Sequence, residues 1–559
     1  MTAVPDDQLP LARLQHWERA RANEIYLSQP MGGGRQRDYT WAQAVDEARR
    51  MAAYLRAQGW EPGSRIAILS KNCAHWLMSD FAIWMAGHVS VPIYPTLTAE
   101  SVRQILDHSG ARACFVGKLD DWPQMKPGIP AGVHCIAYPL SPPTDFPQWD
   151  DLIARTAPLA ELPHRAADEL ATIIYTSGTT GMPKGVMHSF GNIGWAAQPM
   201  MKGFGANADD RMISYLPLAH VAERWVVEAC SIALGFRVFF AESLETFVAD
   251  LKRARPTMFI SVPRLWVKFQ QSIFAKLPKQ KLDLLFRIPV LGSLIKRRIL
   301  RELGLDTVRF AGAGAAPLPV SVLSWYRELG LELLEGYGMT ENFGVSHGSL
   351  PGRSRVGYVG HPWDGVTCRI AEDGEVLVKS PSTMMGYYRE PEKTREALTA
   401  DGYLRTGDVG ELDDDGRLRI TGRAKEQFKT SKGKYVAPAP IENRLAAHSQ
   451  IEACCVAGAG FGQPFALLML PADVAARAQA DVNVRESLSA SFAELLEQVN
   501  AALDAHEQLD FLAVVPEQWT VENGFLTPTL KIKRAQVEKA YGARFEDWVA
   551  RRQAVVWAD

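Results

Sequence analysis

Residues 174–186 form a segment rich in hydroxyls and glycine, and these residue types bind polyphosphates. Glycines allow consecutive backbone N–H groups to turn toward one anion, and hydroxyls add further donors. The segment does not fit the GxxxxGK[ST] pattern of a P-loop. Close to its end lies Lys184, whose point charge suits phosphate. We therefore predict a different kind of phosphate-binding loop, formed by Thr176, Ser177, Gly178, Thr179, Thr180 and Lys184.

Three later segments have residues suited to the rest of a nucleotide. Small residues fill 311–317, where Pro317 stands in place of the third glycine of GxGxxG and disfavours a dinucleotide site. In residues 335–341, Tyr337 lies between two glycines and can present its ring face, while Glu341 offers Mg²⁺ a carboxylate ligand. We expect Asp408 to end an apolar–polar run in a tight turn, where it could accept two hydrogen bonds from ribose hydroxyls.

Residues 175–185 resemble the signature YTSGTTGxPKG of the adenylate-forming (AMP-binding) enzymes, which include acyl-CoA synthetases, luciferases and peptide-synthetase adenylation domains. The resemblance extends over nearly the whole chain, with the other segments in the family's order. It implies that Thr340 binds the α-phosphate, Glu341 holds Mg²⁺, and Asp408 and Arg423 bind the ribose. The adenine pocket that it implies is lined by Gly314, Ala315, Ala316, Gly336 and Tyr337.

The end of the chain resembles the family's mobile C-terminal domain. Residues 526–534 match the segment with the catalytic lysine, and the TPTLK form indicates Lys531. Leu530 replaces the glycine that usually precedes this lysine, and Lys533 is a second candidate. The resemblance further implies a hinge at Lys425 and a pantetheine tunnel for coenzyme A near Gly433.

Residues 215–224 and 262–266 resemble the long-chain fatty acyl-CoA synthetase subgroup. The resemblance implies that His220 lies by the acyl carboxylate and that Arg224 and Trp225 lie near the mouth of the acyl tunnel. It implies an AMP-forming ligase that uses ATP, Mg²⁺ and coenzyme A to convert a long- or medium-chain fatty acid to its CoA thioester. Three alternatives stay open: a ligase for aryl or short-chain acids, a ligase acting on an acyl-carrier protein, and a lipid-binding, membrane-docked protein without turnover.

The elements that must position these residues are predicted from hydrophobic periodicity. The first third of the chain alternates strand-like apolar runs, such as 113–116, with amphipathic helical stretches, such as 41–58. This alternation favours a parallel α/β sheet. After residue 357, short alternating runs separated by Gly and Asp predict a β-rich subdomain. We expect a large N-terminal α/β domain over 1–422, an exposed hinge linker over 423–427, and a small mobile C-terminal α+β domain over 428–559.

Composition limits the class of protein. The 61 Lys+Arg against 63 Asp+Glu give a net charge of -2, so no nucleic-acid partner is expected. No apolar stretch approaches the ~18–20 residues that span a bilayer. The N-terminal segment lacks the apolar run of a signal peptide, which predicts a cytoplasmic protein. Seven scattered cysteines, without a CxxC pair, indicate neither disulfides nor a zinc site.

Residues 276–301 are unusually basic, with eight Lys or Arg, one acid and many apolar residues between them. One interpretation is a solvated helical face beside the core. The other is an interfacial segment that meets anionic headgroups, which predicts peripheral association with the inner face of a membrane. The sequence leaves acyl chain length and the formation of a homodimer open.

Overall fold

The computed structural model describes residues 4–176, 183–314, 316, 318–527 and 530–558. The chain forms two compact units. The first comprises Met1–Ala316, Leu323–Cys368 and Leu377–Arg405, and the second comprises Pro317–Val322, Arg369–Val376 and Thr406–Asp559. Both mix helices and strands, as the sequence predicts.

The largest sheet of the first unit carries the predicted phosphate-binding loop. Its strands are, in spatial order, Gly386–Tyr387, Lys184–Ser189, Leu170–Thr176, Val89–Ile93, Arg65–Leu69, Ala113–Val116 and His134–Ala137. The last five pair in parallel, and the first two are antiparallel additions. Alternate residues of Arg65–Leu69 enter different apolar clusters, so both faces of the sheet are covered, which a parallel sheet requires.

Two smaller sheets complete the first unit. One has the strand order Gln36–Thr40, Ile25–Pro30, Arg237–Phe240, Arg211–Ser214. The other has the order Met258–Ser261, Phe310–Ala313, Leu333–Tyr337, His347–Gly348, His361–Pro362, and carries the segments predicted to bind adenine. The longer helices described up to residue 329 are Pro10–Ala20, Trp41–Ala57, Ala74–Met85, Ala99–Ser109, Phe247–Ala254, Pro263–Lys276, Lys279–Phe286, Leu291–Glu302 and Val320–Leu329.

The second unit is built on a sheet with the order Ala453–Ala457, Phe465–Met469, Leu512–Val515, Val555–Trp557. Successive residues of each strand alternate between two apolar clusters, one on each face. A short hairpin of Phe428–Lys429 and Tyr435–Val436 precedes this sheet. The described helices are Pro438–Leu445, Ala472–Ala480, Val482–Asn500, Arg534–Tyr541 and Phe545–Ala550.

The β-rich region that precedes the predicted linker contains the strands Thr367–Ile370, Glu375–Lys379, Leu404–Leu412 and Leu418–Arg423. The last two pair antiparallel, with Asp408 opposite Arg423. The Thr406 hydroxyl donates to the Val376 carbonyl at 2.7 Å, which ties residues from 406 onward to 369–376. The longest continuous segment of the second unit therefore begins at Thr406. Gly422 and Arg423 belong to a strand, and the exposed residues of the predicted linker are Arg423 and the start of the turn that follows it.

Helix and strand positions in the first third agree closely with the sequence. The helix predicted over 41–58 is Trp41–Ala57, and the strand predicted over 113–116 is Ala113–Val116. All seven cysteines are free. Among the described residues, no helix is both long and apolar enough to cross a membrane.

Candidate active site

The ends of two antiparallel strands hold Thr176 and Lys184 opposite each other. They bracket the predicted phosphate-binding loop, so its flanking residues are fixed by sheet pairing. The predicted donors Ser177, Gly178, Thr179 and Thr180 lie outside the described residues. The Lys184 ammonium lies 5.2 Å from the centroid of the Tyr387 ring, a cation–π distance.

Tyr387 connects this lysine to the predicted metal ligand. Its hydroxyl donates to Glu341 Oε1 at 2.8 Å, and the Met384 N–H donates to the Glu341 carbonyl at 2.8 Å. Burial, followed by the Glu341 carboxylate, raises the pKa of the Tyr387 hydroxyl well above its usual range, so the hydroxyl remains a donor. The structure thus brings Lys184, Tyr387 and Glu341 together in one row.

A buried histidine holds the backbone of the neighbouring predicted residue. His188 Nε2 lies 2.7 Å from the Thr340 carbonyl, and because a carbonyl only accepts, Nε2 carries the hydrogen. Burial lowers the pKa of His188 to about 4, so the ring is neutral near pH 7. His188 and Tyr387 were not predicted from the sequence. They lie in the neighbouring strands Lys184–Ser189 and Gly386–Tyr387, next to the predicted loop. Only the fold reveals this proximity.

The residues predicted around adenine lie at the ends of two parallel strands. Tyr337 ends the strand Leu333–Tyr337 and pairs with His347, their ring centroids 6.1 Å apart. Gly314 follows the adjacent strand, and a Cβ there would lie 3.5 Å from the Gly336 carbonyl, so these two glycines are neighbours. Ala316 is exposed, and Ala315 lies outside the described residues.

Asp408 and Arg423 are brought together in the second unit, but Asp408 does not end a run in a tight turn as predicted. It lies inside the strand Leu404–Leu412, buried, and accepts a hydrogen bond from Arg423 Nε at 3.0 Å. The preceding Gly407 has φ +70°, a conformation that favours glycine and is common in turns. This glycine interrupts the strand locally and explains the incorrect prediction.

The predicted acyl-pocket residues have different surroundings. His220 precedes the short helix Val221–Glu223, and its Nδ1 accepts from the Ala222 N–H at 3.1 Å. Trp225 is half-buried and donates to the Ala196 carbonyl. Arg224 is fully buried and ion-paired with Asp80 and Glu228. The charge of Arg224 therefore neutralises carboxylates inside the core, and its place near the mouth of an acyl tunnel stays a prediction.

Lys531 lies in a tight turn of the second unit. Its N–H donates to the Thr527 hydroxyl at 3.0 Å, and its carbonyl accepts from the Thr527 N–H at 2.8 Å. Leu530 has φ +61°. This left-handed backbone costs an L-residue roughly 1–2 kcal/mol in conformational free energy, whereas glycine would adopt it without that cost. Ile532 bridges Leu526 across the turn, and Lys533 precedes the helix Arg534–Tyr541.

Arg534 anchors this turn to the second unit. Its guanidinium donates to Glu442 Oε1 at 2.8 Å and to the Val456 carbonyl at 2.5 Å. Glu442 also accepts from the Val456 N–H at 2.7 Å, so the three groups form a closed set of hydrogen bonds. Nearby, Gly433 turns the hairpin before the sheet with φ +78°, and Lys425 is exposed in the turn after Arg423.

Comparison with known sequences decides the family. Residues 14–388 match the profile of the AMP-binding enzymes, and residues 425–553 match that of the AMP-binding enzyme C-terminal domain. The chain belongs to the AMP-binding enzymes. This confirms the family that the sequence motifs predict. Known relatives of this AMP-binding enzyme include the long-chain-fatty-acid–CoA ligase FadD15 of Mycobacterium bovis, at 32% identity over 91% of this chain and 92% of the relative.

A second relative, the peroxisomal long chain acyl-CoA synthetase 7 of Arabidopsis thaliana, is 30% identical over 90% of this chain and 81% of its own length. The predicted long-chain acyl-CoA synthetase subgroup is therefore confirmed. Among solved structures, the anthranilate CoA ligase AuaEII in complex with anthranoyl-AMP is 21% identical, with a TM-score of 0.79 over 98% of this chain and 100% of that one. At that identity the similarity concerns the fold of this AMP-binding enzyme.

Proposed function

We propose that this enzyme is an ATP-dependent carboxylate–CoA ligase that converts a long- or medium-chain fatty acid, through an acyl-adenylate, to an acyl-CoA. The observation that carries the proposal is the match to long-chain-fatty-acid–CoA ligases over about nine-tenths of the chain. The row of Lys184, Tyr387 and Glu341 supports it, because a cation and a positioned carboxylate suit a nucleotide triphosphate with its metal.

The reaction has two displacements. A carboxylate oxygen of the acid attacks the α-phosphorus of ATP, and the bond to pyrophosphate breaks. The sulfur of coenzyme A then attacks the acyl carbon, the bond to AMP breaks, and the thiol proton is released. The enzyme aligns these groups and stabilises the developing charge. Neither step needs an enzyme nucleophile, so neither calls for one of the seven free cysteines.

Residues of the first unit act on the phosphates. Lys184 and the loop after Thr176 bind phosphate oxygens, and the Thr340 hydroxyl binds the α-phosphate while His188 holds the Thr340 carbonyl. Glu341 would hold Mg²⁺, which fits because this ion is bound in proteins by one or two carboxylates together with substrate phosphates. When bound, the ion neutralises charge on the phosphates of ATP. The Tyr387 hydroxyl keeps the Glu341 carboxylate in place.

Residues of the second unit complete the proposal. Asp408 accepts hydrogen bonds from the ribose hydroxyls, and Arg423, already bound to Asp408, reaches the ribose and phosphate. The C-terminal domain rotates about Lys425 between the two steps. Lys531 stabilises charge during adenylation, and Gly433 borders the path of the pantetheine arm during thioester formation. His220 lies by the acyl carboxylate.

Pyrophosphate release across a panel of acids, with and without coenzyme A, tests the proposal. We expect release with C8–C18 fatty acids, little with acetate or benzoate, and an acyl-CoA product when coenzyme A is present. Release with benzoate alone would favour the aryl-acid alternative. An adenylate that transfers only to an acyl-carrier protein would favour the carrier-protein ligase. No release with any acid would contradict the proposal and leave the lipid-binding alternative.

Two further proposals concern partners. The basic segment of residues 276–301 supports peripheral association with an anionic membrane, on its inner face. The homodimer that the sequence leaves open stays a prediction. Sedimentation velocity over a hundredfold range of protein concentration measures it: one species at the monomer mass throughout would contradict it.

A further inference from the structure

The basic segment folds into a helical hairpin, which we define as the helices Lys279–Phe286 and Leu291–Glu302 with residues 287–290 between them. Leu282, Phe286 and Ile299 are buried. Gly292 packs closely on the first helix, since a Cβ there would lie 2.5 Å from the Phe286 carbonyl. The two helices of the hairpin therefore pack on each other.

The turn end of the hairpin presents apolar side chains to solvent. Five of the 15 exposed large hydrophobic residues in the described chain lie within residues 284–294, namely Leu284, Ile288, Val290, Leu291 and Leu294, at 66, 42, 75, 43 and 58% exposure. Isolated exposed hydrophobics are ordinary, but a concentration at one tip indicates an interaction surface. We call these five residues the apolar tip.

Val290 at the tip has φ +64°, a genuine outlier for a β-branched residue. Glycine would adopt this backbone at less cost, so backbone geometry does not account for valine. The Val290 side chain is 75% exposed although its backbone is unfavourable. An apolar ligand that covers this side chain would account for a valine at this position.

Basic residues surround the tip at a defined depth. Arg287, Arg297 and Arg298 are exposed, while Lys296 lies over the Phe286 ring. At 1.5 Å per residue, Arg297 stands ~9 Å along the helix from Leu291. Interfacial helices bury apolar side chains about 5–10 Å below the headgroups. Arg297 at that height, with Arg298 next to it, would meet lipid phosphates when the tip is inserted, and Arg287 lies in the turn beside Ile288.

We infer that the hairpin inserts turn-first into an anionic bilayer, with the apolar tip among the acyl chains and the arginines on headgroup phosphates. The inference deepens the proposed function and rests on it, because a long-chain acid resides in the bilayer from which the enzyme would draw it. A second copy of this chain is disfavoured as the occupant, since a symmetric contact would bring two sets of basic residues together.

Co-sedimentation with vesicles tests the inference, using phosphatidylcholine alone and a 3:1 mixture with phosphatidylglycerol. We expect the wild type to bind the anionic vesicles and to lose most binding at 0.5 M salt, where charges are screened within a few ångströms. The triple variant Arg287→Glu, Arg297→Glu, Arg298→Glu should lower the partition coefficient by about a hundredfold or more at low salt.

The variant Val290→Gly, Leu291→Gln, Leu294→Gln tests the apolar part. Glycine adopts the positive φ at residue 290 without steric cost, so this variant should fold at least as well as the wild type. We expect it to lose binding at low and at high salt alike. A matched control, Leu244→Gln with Val482→Gln, changes exposed hydrophobics elsewhere and should bind as the wild type does.

Equal binding of wild type and either triple variant would overturn the inference, as would equal binding to neutral and anionic vesicles. The CoA-ligase rate with detergent-dispersed fatty acid separates this result from the proposed function. We expect all the variants to retain that rate. A wild type that binds vesicles but activates no acid would contradict the proposed function, whereas an active enzyme that ignores vesicles would contradict only the insertion of the hairpin.

Discussion

The hydroxyl of Tyr387 is the group through which the proposed metal ligand is positioned. It binds one oxygen of the Glu341 carboxylate, while the ring of the same tyrosine lies beside the Lys184 ammonium. A hydrogen bond to a charged group contributes about 1.5–3 kcal/mol, more than one between neutral groups. Tyr387 is therefore a positioning residue, which acts on the reaction through Glu341.

The substitution Tyr387→Phe removes this hydroxyl and keeps the ring beside Lys184. We expect it to lower the adenylation rate about tenfold and to raise the Mg²⁺ concentration needed for half-maximal rate several-fold, because Glu341 is no longer oriented. Titration of Mg²⁺ in a pyrophosphate-release assay measures both effects. Tyr388→Phe, at the neighbouring position, is the control and should leave the Mg²⁺ dependence unchanged. The same Mg²⁺ dependence in Tyr387→Phe and wild type would argue against the positioning role.

Lys531→Ala should separate the two half-reactions. Removing a preorganised donor to a developing charge typically lowers a rate by ~10²–10³-fold. We expect that loss in adenylate formation from acid and ATP, but nearly normal thioester formation from supplied acyl-AMP and coenzyme A. Lys533→Ala is the matched control, since its backbone N–H to the Phe525 carbonyl is retained. An intact adenylation rate in Lys531→Ala would refute the assignment.

Candidate site residues could be proposed from the sequence where a motif contains them, and not where only a contact in the fold identifies them. Lys184, Tyr337 and Glu341 belong to contiguous segments whose residue types indicate nucleotide chemistry. Tyr387 lies 46 residues from the carboxylate that it binds, and His188 lies 152 residues from Thr340. No local pattern joins such positions. Only strand order in the sheet brings them together.

At the scale of elements, the turn after the strand Leu418–Arg423 is the proposed hinge. Proline at Lys425 would fix φ near −65° and remove an N–H, which restricts rotation of the chain there. We expect Lys425→Pro to reduce one half-reaction at least several-fold more than the other, and Lys425→Ala to affect neither. Separate assays of adenylation and thioester formation measure the difference. Equal losses in both would count against a hinge at this residue.

Strands and helices were predictable when their hydrophobic period was uninterrupted. Trp41–Ala57 has apolar residues at helical spacing, and Ala113–Val116 is a short buried run. At Asp408 a turn was predicted where the strand Leu404–Leu412 continues, because a glycine such as Gly407, with φ +70°, is typical of a turn. Pairing with Leu418–Arg423 keeps this position in the strand. Pairing partners decide such cases, and a single sequence does not show them.

At the scale of the whole molecule, neutral histidines are buried throughout the first unit. Burial lowers the pKa of His75 and His347 to about 3 and that of His88 and His188 to about 4. The unfolded chain binds protons at these residues below about pH 6.5, and the folded chain does not. Their contribution to stability is therefore complete above pH 6.5 and is lost as the pH falls toward 4.

The free energy of unfolding should accordingly fall with decreasing pH below about 6.5. Each buried histidine that is replaced, as in His88→Gln, should reduce the slope by up to about 1.4 kcal/mol per pH unit, which is one proton. Urea unfolding between pH 4.5 and 8 measures the slope, and His164→Gln on the surface is the control. Burial raises the pKa of Glu223 to about 8, so its contribution to the free energy of unfolding changes with pH in the opposite direction. Comparing each histidine variant with the wild type therefore isolates the effect of the histidine.

The anchoring of Arg534 has a consequence for timing. Arg534 lies three residues after Lys531 and binds Glu442 and Val456. The turn that holds Lys531 is therefore fixed to the sheet of the second unit. A lysine on a loose loop would reorient within nanoseconds to microseconds, whereas collective domain motions take microseconds to milliseconds. In the proposed rotation of the C-terminal domain, the Lys531 ammonium would therefore move on the microsecond-to-millisecond timescale of the whole domain. Solvent viscosity, which slows large bodies more than side chains, should then limit how often the enzyme begins a new adenylation.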